Sequence, residues 1–180
     1  MNILLTGANG FLGTHLGDKM ADETSAVNNL VQQHFEINGY DDTKLYNLFT
    51  PHRHQLNCLE YRDLYHYCHS NKIDIIIHLA AECGGIGINQ RKPADFFLHN
   101  AQMSLNVLRV AHELKLNKLV TIGTVCSYPK NTPVPFKEEN LWDGYPEETN
   151  APYGLAKKNL LIGCQAFANQ YGSNFIHLIP

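Results

Sequence analysis

Two pairs of side chains in the second half of the chain have the types and spacing to move a proton onto a carbonyl oxygen. Tyr153 and Lys157 stand four apart in the stretch NAPYGLAKK. Asn150 is a suitable N-cap and Pro152 suits a first helical turn, so the phenol and the ammonium share one helix face. A lysine ammonium beside a phenol favours phenolate, lowering a pKa that starts near ~10. The phenol can then donate its proton to a ketone oxygen as hydride arrives on the carbon, while the lysine holds a ribose. Thr124 and Cys126 lie in GTVCS, directly after the apolar run Lys118 to Ile122. Hydroxyls and a thiol at the carboxyl end of a buried strand suit a reaction better than a core, and Thr124 is placed to hold the same oxygen.

Hydride chemistry needs a carrier, and the N-terminus reads as its cradle. The run Ile3–Leu5 leads into TGANGFLG, with Gly7, Gly10 and Gly13 spaced G-x-x-G-x-x-G. Glycines so placed let the chain turn sharply, approach a pyrophosphate and pack a helix against the sheet, while the helix aims free N–H groups at the phosphates. The expected dinucleotide-binding set is therefore Gly7, Asn9, Gly10, Phe11, Leu12 and Gly13. A second wall is expected from Leu79, Ala80 and Ala81, small enough at the last two positions to pass close to a ribose and adenine. His78, beside an apolar run, reads as a satisfied core histidine. An acidic residue after the second strand would hold the ribose 2′-hydroxyl of NAD, and an arginine there would accommodate the phosphate of NADP. If that strand is Leu45–Phe49, Arg53 follows with no carboxylate, which favours NADP(H). If it is QHFEI, Glu36 becomes the ribose ligand and NAD the cofactor.

The elements that must position these groups follow from the apolar pattern. Ile3–Leu5, Leu45–Phe49, Ile73–Leu79, Leu119–Ile122 and Phe175–Ile179 read as strands. Residues 11–21, 60–70, 100–115 and 153–170 have helical period. Strands alternating with helices predict crossover units and a parallel sheet. Ile75, Ile76 and Ile77 run without alternation, as in a strand covered on both faces. The fold class is thus α/β, a Rossmann-type doubly wound parallel sheet with helices on both faces. Residues 21–44 are polar and read as an insertion, and residues 129–149, with four prolines, as a long loop. At 180 residues the chain makes one domain. A net charge of -3 gives no electrostatic footprint for nucleic acid or an anionic membrane. No apolar run reaches the ~20 residues that span a bilayer, and the N-terminus does not resemble a signal peptide. The five scattered cysteines then read as reduced thiols of a cytoplasmic protein. The clusters His52/His54 and His66/Cys68/His69 match no zinc framework, so no metal is expected.

Together, TGxxGxxG, DxxxHLAA, a strand-end Ser/Thr and YxxxK resemble the extended short-chain dehydrogenase/reductases. Within them, AAECGGIGINQRKPADFFLHN and GTVCSYPK with NAPYGLAKK resemble the GDP-L-fucose synthase family. That resemblance implies an NADPH enzyme that epimerises C3 and C5 of a nucleotide-linked 4-keto-6-deoxy sugar and then reduces C4. It implies that Cys126 serves the epimerisation, with a thiol whose ordinary pKa of about 8.5 is close to working pH. It suggests Gly84, Gly85 and Lys130 as substrate contacts, Gly84, Gly85 and Gly87 lying in a flexible loop. It also implies a homodimer built on the helices near 100–115 and 153–170.

The sequence departs from that family in three places. Thr124 stands where serine is usual, and Asn9 where some members carry an arginine for the NADP phosphate, leaving Arg53 to that task. The family continues beyond the equivalent of Pro180 with a second epimerisation residue, a histidine, and the nucleotide-sugar pocket, so the chain reads as its cofactor domain. Two alternatives stay open: an NAD-dependent nucleotide-sugar epimerase or a 4-ketosugar reductase, and a non-catalytic NAD(P)-binding sensor.

Overall fold

The structure, a computed structural model, describes residues 1–22 and 46–180. Five strands form one sheet: β1 (Asn2–Thr6), β2 (Asn47–Phe49), β3 (Ile75–His78), β4 (Lys118–Ile122) and β5 (Phe175–Leu178). All four pairings are parallel and the order is β2-β1-β3-β4-β5. The connections carry α1 (helical over 11–22), α2 (Tyr61–Ser70), α3 (Ile86–Arg91), α4 (Pro93–Glu113) and α5 (Ala151–Tyr171).

Register explains how the faces are used. Leu4, Ile76, Leu119 and Phe175 stand opposite one another across β1, β3, β4 and β5. All four belong to one buried cluster with Leu64 of α2, Val107 of α4 and Leu160 of α5. Side chains alternate along a strand, so Leu5 faces the other way. There it meets α1: a Cβ on Gly17 would stand 3.8 Å from a Leu5 methyl. Helices therefore cover both faces, α2, α4 and α5 on one and α1 on the other, as the doubly wound expectation required.

From β1 the chain moves outward to β2 and then returns past β1 to β3. The direction of winding thus reverses between β1 and β3, and in open α/β sheets ligands bind at the carboxyl ends of the strands at such a point. The turn after β1 carries the expected cofactor residues Gly7 to Gly13, and the segment after β3 carries Leu79, Ala80 and Ala81.

Three expectations need correction. The helix expected at 100–115 begins at Pro93, because proline is pre-set for the first helical turn. The glycines after β3 are not a loose loop: Gly85 caps α3 and Gly87 lies within it. The fold closes there because the buried Asn89 amide donates to the carbonyls of Gly84 (2.8 Å) and Gly85 (3.1 Å). The loop 129–149 is folded back on the domain by a Pro129–Pro146 bridge and a short helical turn, Glu138–Trp142, that buries Leu141. Its Trp142 ring lies 4.8 Å from the Lys158 ammonium of α5. Glu36 and all but the first two residues of the 21–44 insertion lie outside the described residues. β2 occupies the Leu45–Phe49 run from Asn47 onward.

Candidate active site

At the end of β1 the backbone does the work. Gly7 has φ +72, and a Cβ there would stand 2.6 Å from the Ala80 nitrogen. Any other residue would push the turn off the segment that leaves β3. A Cβ on Gly13 would fall 2.2 Å from the Gly7 carbonyl oxygen, so glycine is what lets α1 seat on the turn. At Gly10 a Cβ would meet only the Gly7 oxygen, at 3.3 Å, which leaves the outer face of the turn bare. Phe11 and Leu12 open α1 with their side chains 85% and 45% exposed. What they offer a phosphate is main-chain N–H.

The β3 exit is tied to this turn from beneath. Thr6 Oγ1 lies 2.8 Å from His78 Nδ1 and accepts from the Ala80 N–H at 3.4 Å. Burial, with Lys157 nearby, pushes the His78 imidazole down to about 3, so it stays neutral. His78 is the satisfied core histidine the sequence suggested. Leu79, Ala80 and Ala81 follow, half-buried beside the glycine turn. Asn100 of α4 then clamps Glu82 from both sides, accepting from its N–H (3.1 Å) and donating to its carbonyl (2.8 Å). The Glu82 carboxylate in turn holds His99. Cys83, Gly84 and Gly85 are presented to solvent on this braced segment.

At the end of β4 the site is made of side chains. Thr124 caps the turn Val125–Ser127, its Oγ1 accepting from the Cys126 N–H at 3.2 Å. That bond uses a lone pair and leaves the hydroxyl hydrogen to donate elsewhere. Helix α5 is locked against this turn: Ser127 Oγ donates to the Gly154 carbonyl at 2.9 Å. A Cβ on Gly154 would reach within 2.3 Å of the Cys126 carbonyl oxygen. The glycine between Tyr153 and Lys157 thus sets how closely the phenol approaches Cys126.

Lys157 is only 4% exposed and donates from Nζ to the Ile122 carbonyl at 3.0 Å. Burial pulls its ammonium down to about 8, with Cys83 acting the other way. Tyr153 is pushed up to about 12, first by burial and then by Cys83 and Cys126. The expected lowering by Lys157 is not what this structure shows: desolvation, which penalises phenolate, comes first, and the other causes raise the pKa as well. Next to them His177 Nδ1 lies 2.8 Å from Thr121 Oγ1, and burial lowers the imidazole to about 4.

The structure therefore gathers Thr124, Cys126, Tyr153 and Lys157 at one strand end, and Gly7, Asn9, Gly10, Gly13, Leu79, Ala80 and Ala81 at the neighbouring ones. Arg53 sits exposed in the turn 52–55 that follows β2. Lys130 is held in an exposed ion pair with Glu148 at 2.9 Å. Sequence reasoning missed Cys83, Asn89, Asn100 and Gly154. Cys83 had one signal, its place two residues after Ala81; the others act through contacts that only the fold brings about.

This arrangement has relatives. Residues 3–180 match the NAD dependent epimerase/dehydratase family along almost the whole chain. The chain belongs to that family. Within the family it is 36% identical over 128 residues to the GDP-L-fucose synthase of Escherichia coli, covering 71% of this chain and 40% of that protein. It is 31% identical over 175 residues to the GDP-L-colitose synthase of Yersinia pseudotuberculosis, covering 97% of this chain and 50% of that one. Among solved structures, a GDP-mannoheptose C4 reductase from Campylobacter jejuni with NADP bound is 28% identical, with a TM-score of 0.79 over 99% of this chain and 50% of that one. The chain spans half or less of the length of these family members. The motif resemblance to the extended short-chain dehydrogenase/reductases agrees with all three.

Proposed function

We propose that the chain carries the cofactor-binding and ketone-facing part of an NADP(H)-dependent enzyme that epimerises and reduces a GDP-linked 4-keto-6-deoxy sugar, as in GDP-L-fucose synthesis. One observation carries this reading: Thr124, Cys126, Tyr153 and Lys157 meet at the end of β4, on the same edge of the sheet as a bare glycine turn. The names of the relatives support the substrate class, since all three act on or make GDP-linked sugars.

The residues present fit a dinucleotide. The turn Gly7–Gly13 offers main-chain N–H to a pyrophosphate with no side chain in the way, Leu79, Ala80 and Ala81 line the adenosine side, Lys157 would hold the nicotinamide ribose, and Arg53 would meet a 2′-phosphate. Such a cofactor supplies hydride to the substrate's C4. Tyr153 gives its phenolic proton to the C4 oxygen; burial keeps that proton on the phenol across the neutral range. Thr124 donates its hydroxyl hydrogen to the same oxygen. Cys126, as thiolate, takes the proton from a carbon beside the ketone and the C–H electrons pass to the ketone oxygen; they return to the carbon as it takes a proton from solvent water on the other face, which inverts the centre. Cys83, Gly84 and Gly85 form the wall opposite. Lys130 would reach a substrate only by leaving Glu148.

A reductase without epimerisation is the second reading, favoured by the likeness to a C4 reductase. A homodimer through α4 and α5 belongs to the main reading, supported by their exposed Leu98, Leu105 and Ile162, as does a cytoplasmic location. No helix among the described residues is long and apolar enough to cross a membrane.

The test is NADPH oxidation by the purified chain with GDP-4-keto-6-deoxymannose, run beside Tyr153→Phe. Turnover that falls at least ~100-fold in the variant supports the reading; equal rates contradict it. Solvent deuterium entering C3 and C5, and lost in Cys126→Ser, marks the epimerase. Reduction without deuterium uptake marks the plain reductase.

A further inference from the structure

His177 has no part in the chemistry above, yet the sheet register gives it a place. Thr6, His78, Thr121 and His177 stand opposite one another across β1, β3, β4 and β5. They lie two residues beyond Leu4, Ile76, Leu119 and Phe175, so they point to the same face of the sheet. Hydroxyl and imidazole alternate along this row. Each hydroxyl lies 2.8 Å from Nδ1 of the ring beside it, Thr6 with His78 and Thr121 with His177. Thr6, His78 and Thr121 are at most 2% exposed, so a buried polar row crosses the sheet beneath the site.

Lys157 comes down onto this row. Among the described residues no carboxylate pairs with its ammonium, which donates instead to the Ile122 carbonyl at 3.0 Å. His78 from β3 and His177 from β5 both feel its charge, and Cys83 faces it from the segment after β3. Gly123 makes the link. A Cβ there would stand 2.5 Å from His177 Nε2, so the ring is seated on that backbone because nothing projects from it. The Gly123 N–H donates to the Leu178 carbonyl at 2.6 Å, tying the same backbone to the strand that bears His177. The Ile122–Gly123 peptide thus carries the ammonium on its carbonyl and the imidazole on its Cα. Thr121 is itself fixed, its hydroxyl donating to the Ile176 carbonyl at 3.2 Å and lying 3.6 Å from Cys164 Sγ. On its outer side His177 borders a cavity of about 480 Å³, shared with Glu138, Cys164 and Gln165. The ring stands between that cavity and the anchor of the lysine.

Resting on the dinucleotide reading above, we propose that His177, aimed by Thr121, is a positioning residue for Lys157. Its ring braces the peptide that anchors the ammonium and closes that anchor to water from the cavity. Held neutral by burial, it puts no second charge beside the lysine. His177 touches neither cofactor nor substrate, and its effect on both passes through the ammonium.

The experiment follows the Lys157 side chain by NMR through a pH titration of the purified chain carrying 13C-labelled lysine. The signal is assigned by its absence from Lys157→Met, and wild type, His177→Ala, His177→Gln and Thr121→Val are compared. In the wild type the ammonium titrates at about 8. His177→Ala admits water to the anchor, so the titration moves up towards the ordinary 10.5. His177→Gln, whose neutral amide reaches the Nε2 position, keeps the low value. Thr121→Val moves it the same way as the alanine variant but less, and carries the test should His177→Ala not fold. A merely structural ring would change the melting temperature without moving this titration. Calorimetry with NADPH reads the consequence. A hydrogen bond to a charged group is worth about tenfold or more in affinity; loosening it in His177→Ala costs about three- to tenfold, and His177→Gln stays within about twofold. A wild-type titration already near 10.5, or one unchanged in folded His177→Ala, overturns the positioning role and leaves the cofactor reading standing. Failure of the wild type to bind NADPH overturns the cofactor reading, and this role with it.

Discussion

At the end of β1 the chain strips side chains away, and at the end of β4 it packs them in. Gly7, Gly10 and Gly13 give the turn no side chains of its own at those positions, with Phe11 and Leu12 turned to solvent. Five residues past β4, by contrast, Ser127 is buried and bonded to Gly154, and Lys157 is almost sealed from water. The first region suits a ligand whose charge the protein must meet without changing its own, so nothing in it needs to titrate. The second suits proton transfer, where burial sets the protonation state that each group holds. One edge of a sheet supports both because the reversal of winding brings β1 and β3 side by side and β4 lies next to them.

Removing a reacting group should produce the largest effect. Tyr153→Phe is expected to cost about 10²–10⁴-fold in turnover while NADPH binding and the melting temperature hold, measured by steady-state kinetics and calorimetry. A loss of binding to match would mean that the phenol belongs with the binding region instead.

Acid should expose the buried side next. His78 is held down at about 3 and His177 at about 4, against ~6.5 in an unfolded chain. Below that unfolded value the unfolded state binds protons that the native state refuses. The stability present above pH ~6.5 is therefore lost progressively as pH falls towards these folded values. For His78 alone the loss reaches on the order of 3 kcal/mol by about pH 4. Urea midpoints across this window should fall steeply, and less steeply in His78→Asn.

Gly154→Ala sharpens the comparison at the joint between helix and turn. Its Cβ would meet the Cys126 carbonyl, so α5 must shift, at about 1–3 kcal/mol. Activity should drop more than this instability explains, because Tyr153 moves with the helix. Denaturant unfolding alongside kcat measures both.

The smallest effect comes from Lys157→Met. Its lowered pKa means that folding strains the charged form below about pH 8 and that this penalty fades as pH rises from about 8 towards ~10.5. Removing the charge relieves the same penalty but orphans the Ile122 carbonyl. The net change at neutral pH should be stabilising by about 1 kcal/mol, and the wild type's gain on going to alkaline pH should vanish from the variant.

Much of this was legible in the sequence. The apolar runs located all five strands of the described residues, the glycine spacing located the turn, and the Tyr–Lys spacing located α5. Such signals are local: period, turn chemistry and one helix face. What escaped was carried by distance in the chain. Asn100 and Asn89 look like surface amides on polar helices, yet both are buried to brace the segment that bears Cys83. Gly154 resembles a weak helix residue until Cys126, 28 positions earlier, is brought against it. The direction of the Tyr153 shift escaped for a related reason, since residue spacing shows a charge nearby but not how little water reaches it.

The glycine turn after β1 and the Tyr153–Lys157 pair of α5 serve one dinucleotide in this account. Titrating the purified chain and its Lys157→Met variant with NADPH tests it most directly. The account predicts saturable binding by the wild type, weakened about tenfold or more once the ribose-holding ammonium is gone. Equal affinity in the two proteins, or no saturable binding by the wild type, would contradict it.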